Sequence, residues 1–187
     1  MKKNSKKMVA LLLALCLLIG GVVGGTIAYL VDKTDPVVNT FTTSDVDITL
    51  GETTTDYKMV PGATIKKDPT VTVKAGSEAC YVFVKVEKST NFGTYMTYGM
   101  AEGWNQLKDG NGTDVAGVFY REVAAGSADQ EFAVLKNNQV TVLTSVTKAM
   151  METAKTAKPT LTFTAYAIQQ AGFDTPEKAW AEASKLG

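Results

Sequence analysis

The chain contains no histidine, and this absence excludes most hydrolytic mechanisms. Zinc in a hydrolase needs three protein ligands and an activating base, with histidines usually supplying ligands as in H-E-x-x-H. The common serine and cysteine hydrolases use an imidazole partner to take up the nucleophile's proton. The remaining acid pairs, Asp45/Asp47 and Glu177/Glu182, read as the solvated faces of a strand and a helix. The chain is therefore expected to be no enzyme, with no catalytic residues, no metal site and no cofactor. Cysteine is scarce too: of two residues, Cys16 lies in an apolar N-terminal segment and Cys80 in the run Ala79-Cys80-Tyr81-Val82-Phe83-Val84. Once the first segment is lost, a lone cysteine cannot close an intrachain bridge. Stability must come from packing, with Cys80 buried as a small hydrophobe.

Basic charge is missing where a nucleic-acid partner would need it. Residues 1–28 hold Lys2, Lys3, Lys6 and Lys7 and no acid, so the remaining 159 residues carry a net charge of −4. Binding of nucleic acid rests on clustered positive charge facing phosphates, and that class is excluded. A long hydrophobic run is also lacking. Met8–Val23 is apolar over 16 residues, short of the roughly 20 that span a bilayer. Behind the basic Met1–Lys7 and ahead of small residues at Thr26 and Ala28, it reads as a signal peptide. Cleavage is expected after Ala28, which makes Tyr29 the new N-terminus and limits membrane contact to the uncleaved signal segment. Cys16, flanked by Leu15 and Leu17, lacks the context of a lipidated cysteine.

Beyond the seam the pattern changes to short apolar–polar alternations separated by turns. Tyr29–Phe41 is extended and partly apolar, and Pro36 bars a helix. Val46, Ile48 and Leu50 alternate with polar residues, the period of a half-buried strand. Thr53–Asp56 reads as a turn, as does Pro61-Gly62; Pro69 opens a strand over Thr70–Lys74. In Ala79–Glu87, Val82, Val84 and Val86 face one way and Tyr81, Phe83, Lys85 and Glu87 the other, as in a central sandwich strand. Asn91–Glu102 has no assignable period. Trp104–Leu107 and Val118–Val123 read as strands joined through Asp109-Gly110-Asn111-Gly112. Asp109, Asn111 and Asp114 lack the glycine and closing glutamate of a calcium loop. Gln139–Val146 is a further strand, and Lys148–Lys158 one or two helical turns ended by Pro159. Thr160–Ile168 is a strand with Leu161, Phe163, Ala165 and Ala167 on one face. The tail is a short helix with Thr175 as N-cap, Pro176 at the first helical position and Trp180 as its staple.

These elements add up to an all-β, two-sheet antiparallel sandwich of jelly-roll or immunoglobulin-like type with a short C-terminal helix. The organisation is signal peptide over 1–28, extended segment over 29–41, and sandwich domain over 42–187.

The junction Gly25-Thr26-Ile27-Ala28-Tyr29-Leu30-Val31-Asp32, followed by Asn39-Thr40-Phe41, resembles the N-terminal pattern of the TasA/camelysin family of Gram-positive secreted proteins. Three further stretches are similar: Val60-Pro61-Gly62 through Lys67-Asp68-Pro69, Ala79–Val86, and Ala165-Tyr166-Ala167-Ile168-Gln169. The resemblance spans most of the chain discontinuously and leaves Asn91–Lys136 unmatched. It implies a jelly-roll domain processed by a SipW-type signal peptidase and polymerised into fibres of the biofilm matrix. The freed segment would complete the sheet of a neighbouring subunit, with Leu30, Val31, Val37, Val38 and Phe41 as its apolar plugs. Physically this is β-augmentation. Partners would be the peptidase during export and then a second copy or a related matrix protein. The family's metalloendopeptidase label does not carry over to a chain without histidine. The alternative is a secreted or surface-associated binding module, with Phe92, Tyr95, Tyr98 and Trp104 as its natural contact surface.

Overall fold

The computed structural model describes residues 46–53 and 58–186. The chain divides into two units, Met1–Thr42 and Thr43–Gly187, and every described residue belongs to the second. In order, its elements are β1 (Ile48–Gly51), β2 (Thr64–Lys66), β3 (Thr70–Val73), β4 (Cys80–Lys88), α1 (Phe92–Tyr95), β5 (Met96–Thr97), β6 (Asn105–Lys108), β7 (Asp114–Val123), β8 (Gln130–Ala133), β9 (Gln139–Val142), α2 (Lys148–Thr156), β10 (Leu161–Gln169) and α3 (Pro176–Ala183). The unit is mostly β, its strand pairs are antiparallel, and its helices are short.

The organising strand is β4. Its β-branched residues at every second position suit a pleated surface packed on both sides. Val82, Val84 and Val86 enter a core shared with Val71 and Val73 of β3. Tyr81 and Phe83, on the opposite face, pack against Leu107, Ala179 and Ala183. Both faces being covered, β4 lies inside its sheet, whose order is β10-β4-β7-β6. β7 approaches β4 so closely at Gly117 that an added Cβ would stand 2.4 Å from the Val86 carbonyl oxygen, and its φ is +70°. Only glycine meets both conditions.

The opposing layer comprises two three-stranded sheets, β1-β3-β8 and β2-β9-β5, which are halves of one bent ribbon. Segment 64–73 runs antiparallel to 130–142, pairing Ile65 with Val140 and Thr72 with Glu131. Across the bend Lys67 N donates to Asn138 O and Val134 N to Pro69 O. Asn137 and Asn138 adopt φ of 56° and 52° there, a conformation that asparagine tolerates better than most residues.

Several readings of the sequence need correction. The strand expected over Gln139–Val146 stops at Val142: Leu143 N makes the last bond to the neighbouring segment, on Tyr95 O, and Val146 N then closes a turn on Leu143 O. The following helix is nine residues long, and Thr147 caps it by accepting from Met150 N. Asn91–Glu102, unassignable by pattern, forms α1, β5 and a single bridge between Met100 and Leu135. Thr175 occupies the N-cap position of α3, but its hydroxyl makes no capping bond and is buried without a partner. α3 is held by Trp180 instead, whose ring lies 5.2 Å from those of both Phe83 and Tyr166.

Candidate functional site

Three features of the second unit have the character of a site, and they adjoin one another around the start of β10. The first is the corner Lys67-Asp68-Pro69, where the ribbon bends between β2 and β3. Lys67 Nζ lies 2.6 Å from Glu52 Oε1, the two side chains being 11% and 16% exposed. It also stands 5.4 Å from the centre of the Phe163 ring on β10, within cation–π range. The Asp68 carboxylate accepts from Thr53 Oγ1 at 2.7 Å and from Thr53 N at 3.1 Å. These two bonds, the hydroxyl first, hold its carboxyl below the usual carboxylate range. The corner thus ties the residues after β1 to the ribbon on one side and to β10 on the other.

The second feature is the outer edge of β10, the end strand of its sheet. Ser89 N donates to Thr160 O and Gln170 N to Ala79 O, in register with the β10–β4 ladder. In an antiparallel ladder hydrogen-bonded and non-bonded pairs alternate. Residues 162, 164, 166 and 168 therefore turn their main-chain groups toward β4. Leu161, Phe163, Ala165, Ala167 and Gln169 turn theirs outward, where no strand pairs with them among the described residues. The side chains of Leu161, Phe163, Ala165 and Ala167 point into the core shared with β3 and β4, yet all four are only half-buried.

The third feature is a cleft of about 590 Å³ between the β2-β9-β5 sheet, α2 and the first residues of β10. Its apolar lining includes Met59, Ile65, Phe92, Met96, Met151 and Leu161, and Lys67, Lys155 and Lys158 stand at its border. That volume is in the range of small-ligand sites, which are likewise mostly apolar with a few polar groups. Met59, Met96 and Met151 are far apart in the chain, and no spacing or motif brings them together before folding.

Of the residues expected to carry function, only the aromatic set is described, and of that set Phe92 alone lines the cleft. Thr26, Ala28 and Tyr29 of the cleavage site fall outside the described residues, as do Leu30, Val31, Val37, Val38 and Phe41 of the donor segment; the turn at Thr53–Asp56 is described only at Thr53. The aromatic set offered as a contact surface is core: Phe92 is 2%, Tyr95 4% and Trp104 8% exposed, and Tyr98 is half-buried. The Tyr95 hydroxyl donates to Met150 O, and Trp104 Nε1 to Ala133 O. Asp109 accepts from the amides of Asn111 and Thr113, while Asp114 pairs with Lys108 at 2.7 Å, so both acids of the former calcium candidate serve the hairpin. Cys80 is fully buried, and burial pushes its thiol up to about 11. Among the described residues no helix is long and apolar enough to cross a membrane, and no three acidic or sulfur ligands gather as a metal site would require.

Compared with protein-family models, with curated proteins and with solved structures, the chain matches none.

Proposed function

We propose that this chain is a secreted structural protein of an extracellular biofilm matrix, a jelly-roll domain that assembles into fibres by strand complementation after a SipW-type peptidase removes residues 1–28. The observation that carries the assembly step is the outward row of main-chain groups on β10. A long edge strand of this kind is a template for another strand. Natural edges are commonly blunted by proline, by inward-pointing charge or by brevity. β10 has none of these: it runs nine residues, LTFTAYAIQ, without proline or charge. Its half-buried inner face would gain cover from an added strand, and the apolar residues of Tyr29–Phe41 supply the right chemistry. Membership of a matrix, as distinct from another assembly, rests on the resemblance to the TasA/camelysin family. No catalytic role is proposed.

The test compares the secreted protein with a variant lacking Tyr29–Phe41 by intact mass, N-terminal sequencing and electron microscopy. The proposal expects a start at Tyr29, filaments from the complete mature chain and monomers from the shortened one. Monomers from both at high concentration, with and without a seed, overturn it.

The methionine-lined cleft favours a second reading, a secreted binding module for a small apolar ligand. Its contact surface would then be the cleft beside α2, to which Phe92 alone of the four aromatic residues contributes. Saturable uptake of a solvatochromic apolar dye by monomers, abolished by Met96→Lys, supports that reading; failure of the dye to bind removes it.

A further inference from the structure

We propose that Arg121 is a binding site for a planar carboxylate, held ready between Trp104 and Phe132 on the flank of the domain where β7 runs past the end of β6. The site is independent of the strand-addition reading. Arg121 is the chain's only arginine; its other basic residues are lysines. β6 pairs with β7 as far as Asn105 opposite Tyr120, so Arg121 is the first residue of β7 beyond that pairing. Its guanidinium carbon lies 3.9 Å from the centre of the Phe132 ring on β8 and 5.3 Å from that of Trp104. The indole is fixed by the 2.8 Å bond from its Nε1 to Ala133 O. Gly103 completes the cradle: its φ is +85°, and an added Cβ would stand 2.8 Å from Nη2.

Among the described residues this cation has no anion: Arg121 makes no ion pair with any of them, and its Nε–H is buried without an acceptor. Burial is also what lowers its pKa, with no neighbouring charge offsetting the effect. Arg121 is half-buried, and holding even part of an unpaired cation away from water is costly, a cost that an apolar residue of similar volume would not carry. Buried donors without acceptors are rare enough to require a reason. The Nη1 and Nη2 groups, unlike Nε, are not sealed in without a partner. A guanidinium held over aromatic rings presents a planar fork, which suits the two oxygens of a carboxylate. Glu102, Glu122 and Glu131 adjoin Gly103, Arg121 and Phe132 in sequence, and all three are exposed. One cation among acids suits a monoanion better than a dianionic phosphate.

The carboxylate can be a free small molecule or a side chain of a second copy, and one experiment distinguishes these. With a single arginine, the ¹⁵N-labelled secreted protein gives one Nε–H cross-peak, which needs no further assignment. Monomeric protein is titrated with sodium acetate against sodium chloride at matched ionic strength. The proposal expects that peak, the Trp104 indole and the Gly103 amide to shift saturably with acetate and not with chloride. R121K keeps the charge but loses the fork, and should weaken the response at Gly103 and Trp104 at least about tenfold. Should R121K fail to fold, F132L removes the aromatic support while keeping the cation, and should weaken acetate binding likewise. If the arginine peak moves with protein concentration before acetate is added, and acetate reverses the movement, a second copy supplies the carboxylate. Equal shifts with both salts, or shifts that never saturate, overturn the proposal and leave Arg121 as a packing cation.

Discussion

A pair of proline substitutions on adjacent residues of β10 separates assembly from folding. By the ladder alternation, the Ala165 N–H points away from β4 and the Thr164 N–H toward Lys85. Ala165→Pro removes an outward donor and places ring carbons where an incoming strand would lie. Edge strands tolerate proline on their unpaired side, and Thr164 already has the extended conformation that a following proline demands. The expected cost to stability is about 1 kcal/mol. Thr164→Pro removes a bond to β4 and leaves the Lys85 carbonyl short of a partner, at a cost of about 2–4 kcal/mol. That is a large share of the roughly 5–15 kcal/mol that holds a domain folded. For assembly the ranking changes: Ala165→Pro should slow seeded filament growth at least about tenfold, the equivalent of one lost main-chain bond and its displaced neighbour. The assay is seeded elongation followed by light scattering, with urea unfolding of both variants alongside. Wild-type elongation by Ala165→Pro would refute β10 as the receiving edge. Equal destabilisation by the two prolines would refute the alternation itself.

Other outcomes follow from the packing and the electrostatics. At pH 8 a thiol titrating at about 11 is about 0.1% thiolate, against about 10% for an unfolded thiol titrating near 9, so Cys80 should react with a disulfide reagent at least about 100-fold slower in the native protein than in guanidinium. Because its folded pKa lies above the ordinary thiol value of about 9, its contribution to stability is complete below about pH 9 and is lost as pH rises toward 11; Cys80→Ala should flatten that alkaline limb in a thermal-melt series. Asp68 behaves oppositely. Its folded pKa is depressed by the bonds from Thr53, so its contribution is present above the ordinary carboxylate range and lost as pH falls through it; Asp68→Asn should remove part of the acid-limb dependence of urea unfolding, and an unchanged acid limb would count against the Thr53 clamp. Phe83 is fully buried with ring contacts to Tyr81, Tyr120 and Trp180, and Phe83→Ala should cost about 3–5 kcal/mol by urea unfolding.

Local chemistry was enough for much of the strand inventory. The alternation in Val82, Val84 and Val86 against Tyr81 and Phe83 announced a central strand, and β4 is buried on both faces. Leu161, Phe163, Ala165 and Ala167 were placed on one face of β10, and they share one core. Pro61-Gly62 forms its turn, with Gly62 at φ +78°, and Trp180 staples the final helix. These features depend on period and on turn residues, which a single stretch of chain carries within itself. Asn91–Glu102 could not be assigned, because its glycines and aromatics obey no period and its short elements exist only through partners at Leu135 and Thr141–Val142. The same distance effect concealed the functional features. No pattern in β10 says whether a neighbour covers its outer edge; that follows from sheet order. The cleft joins methionines from three separate regions, and the charge of Arg121 becomes conspicuous only once Gly103, Trp104 and Phe132 close around it with no anion among the described residues. Sequence by itself determined the longer alternating strands and the Pro61-Gly62 turn, because those are properties of neighbours along the chain, while the short β2, β5 and β8 carry no such period. Among the described residues, the tertiary structure alone decided which edge is unpaired, which aromatics are buried and which cation is left uncompensated, because each depends on groups brought together from distant positions.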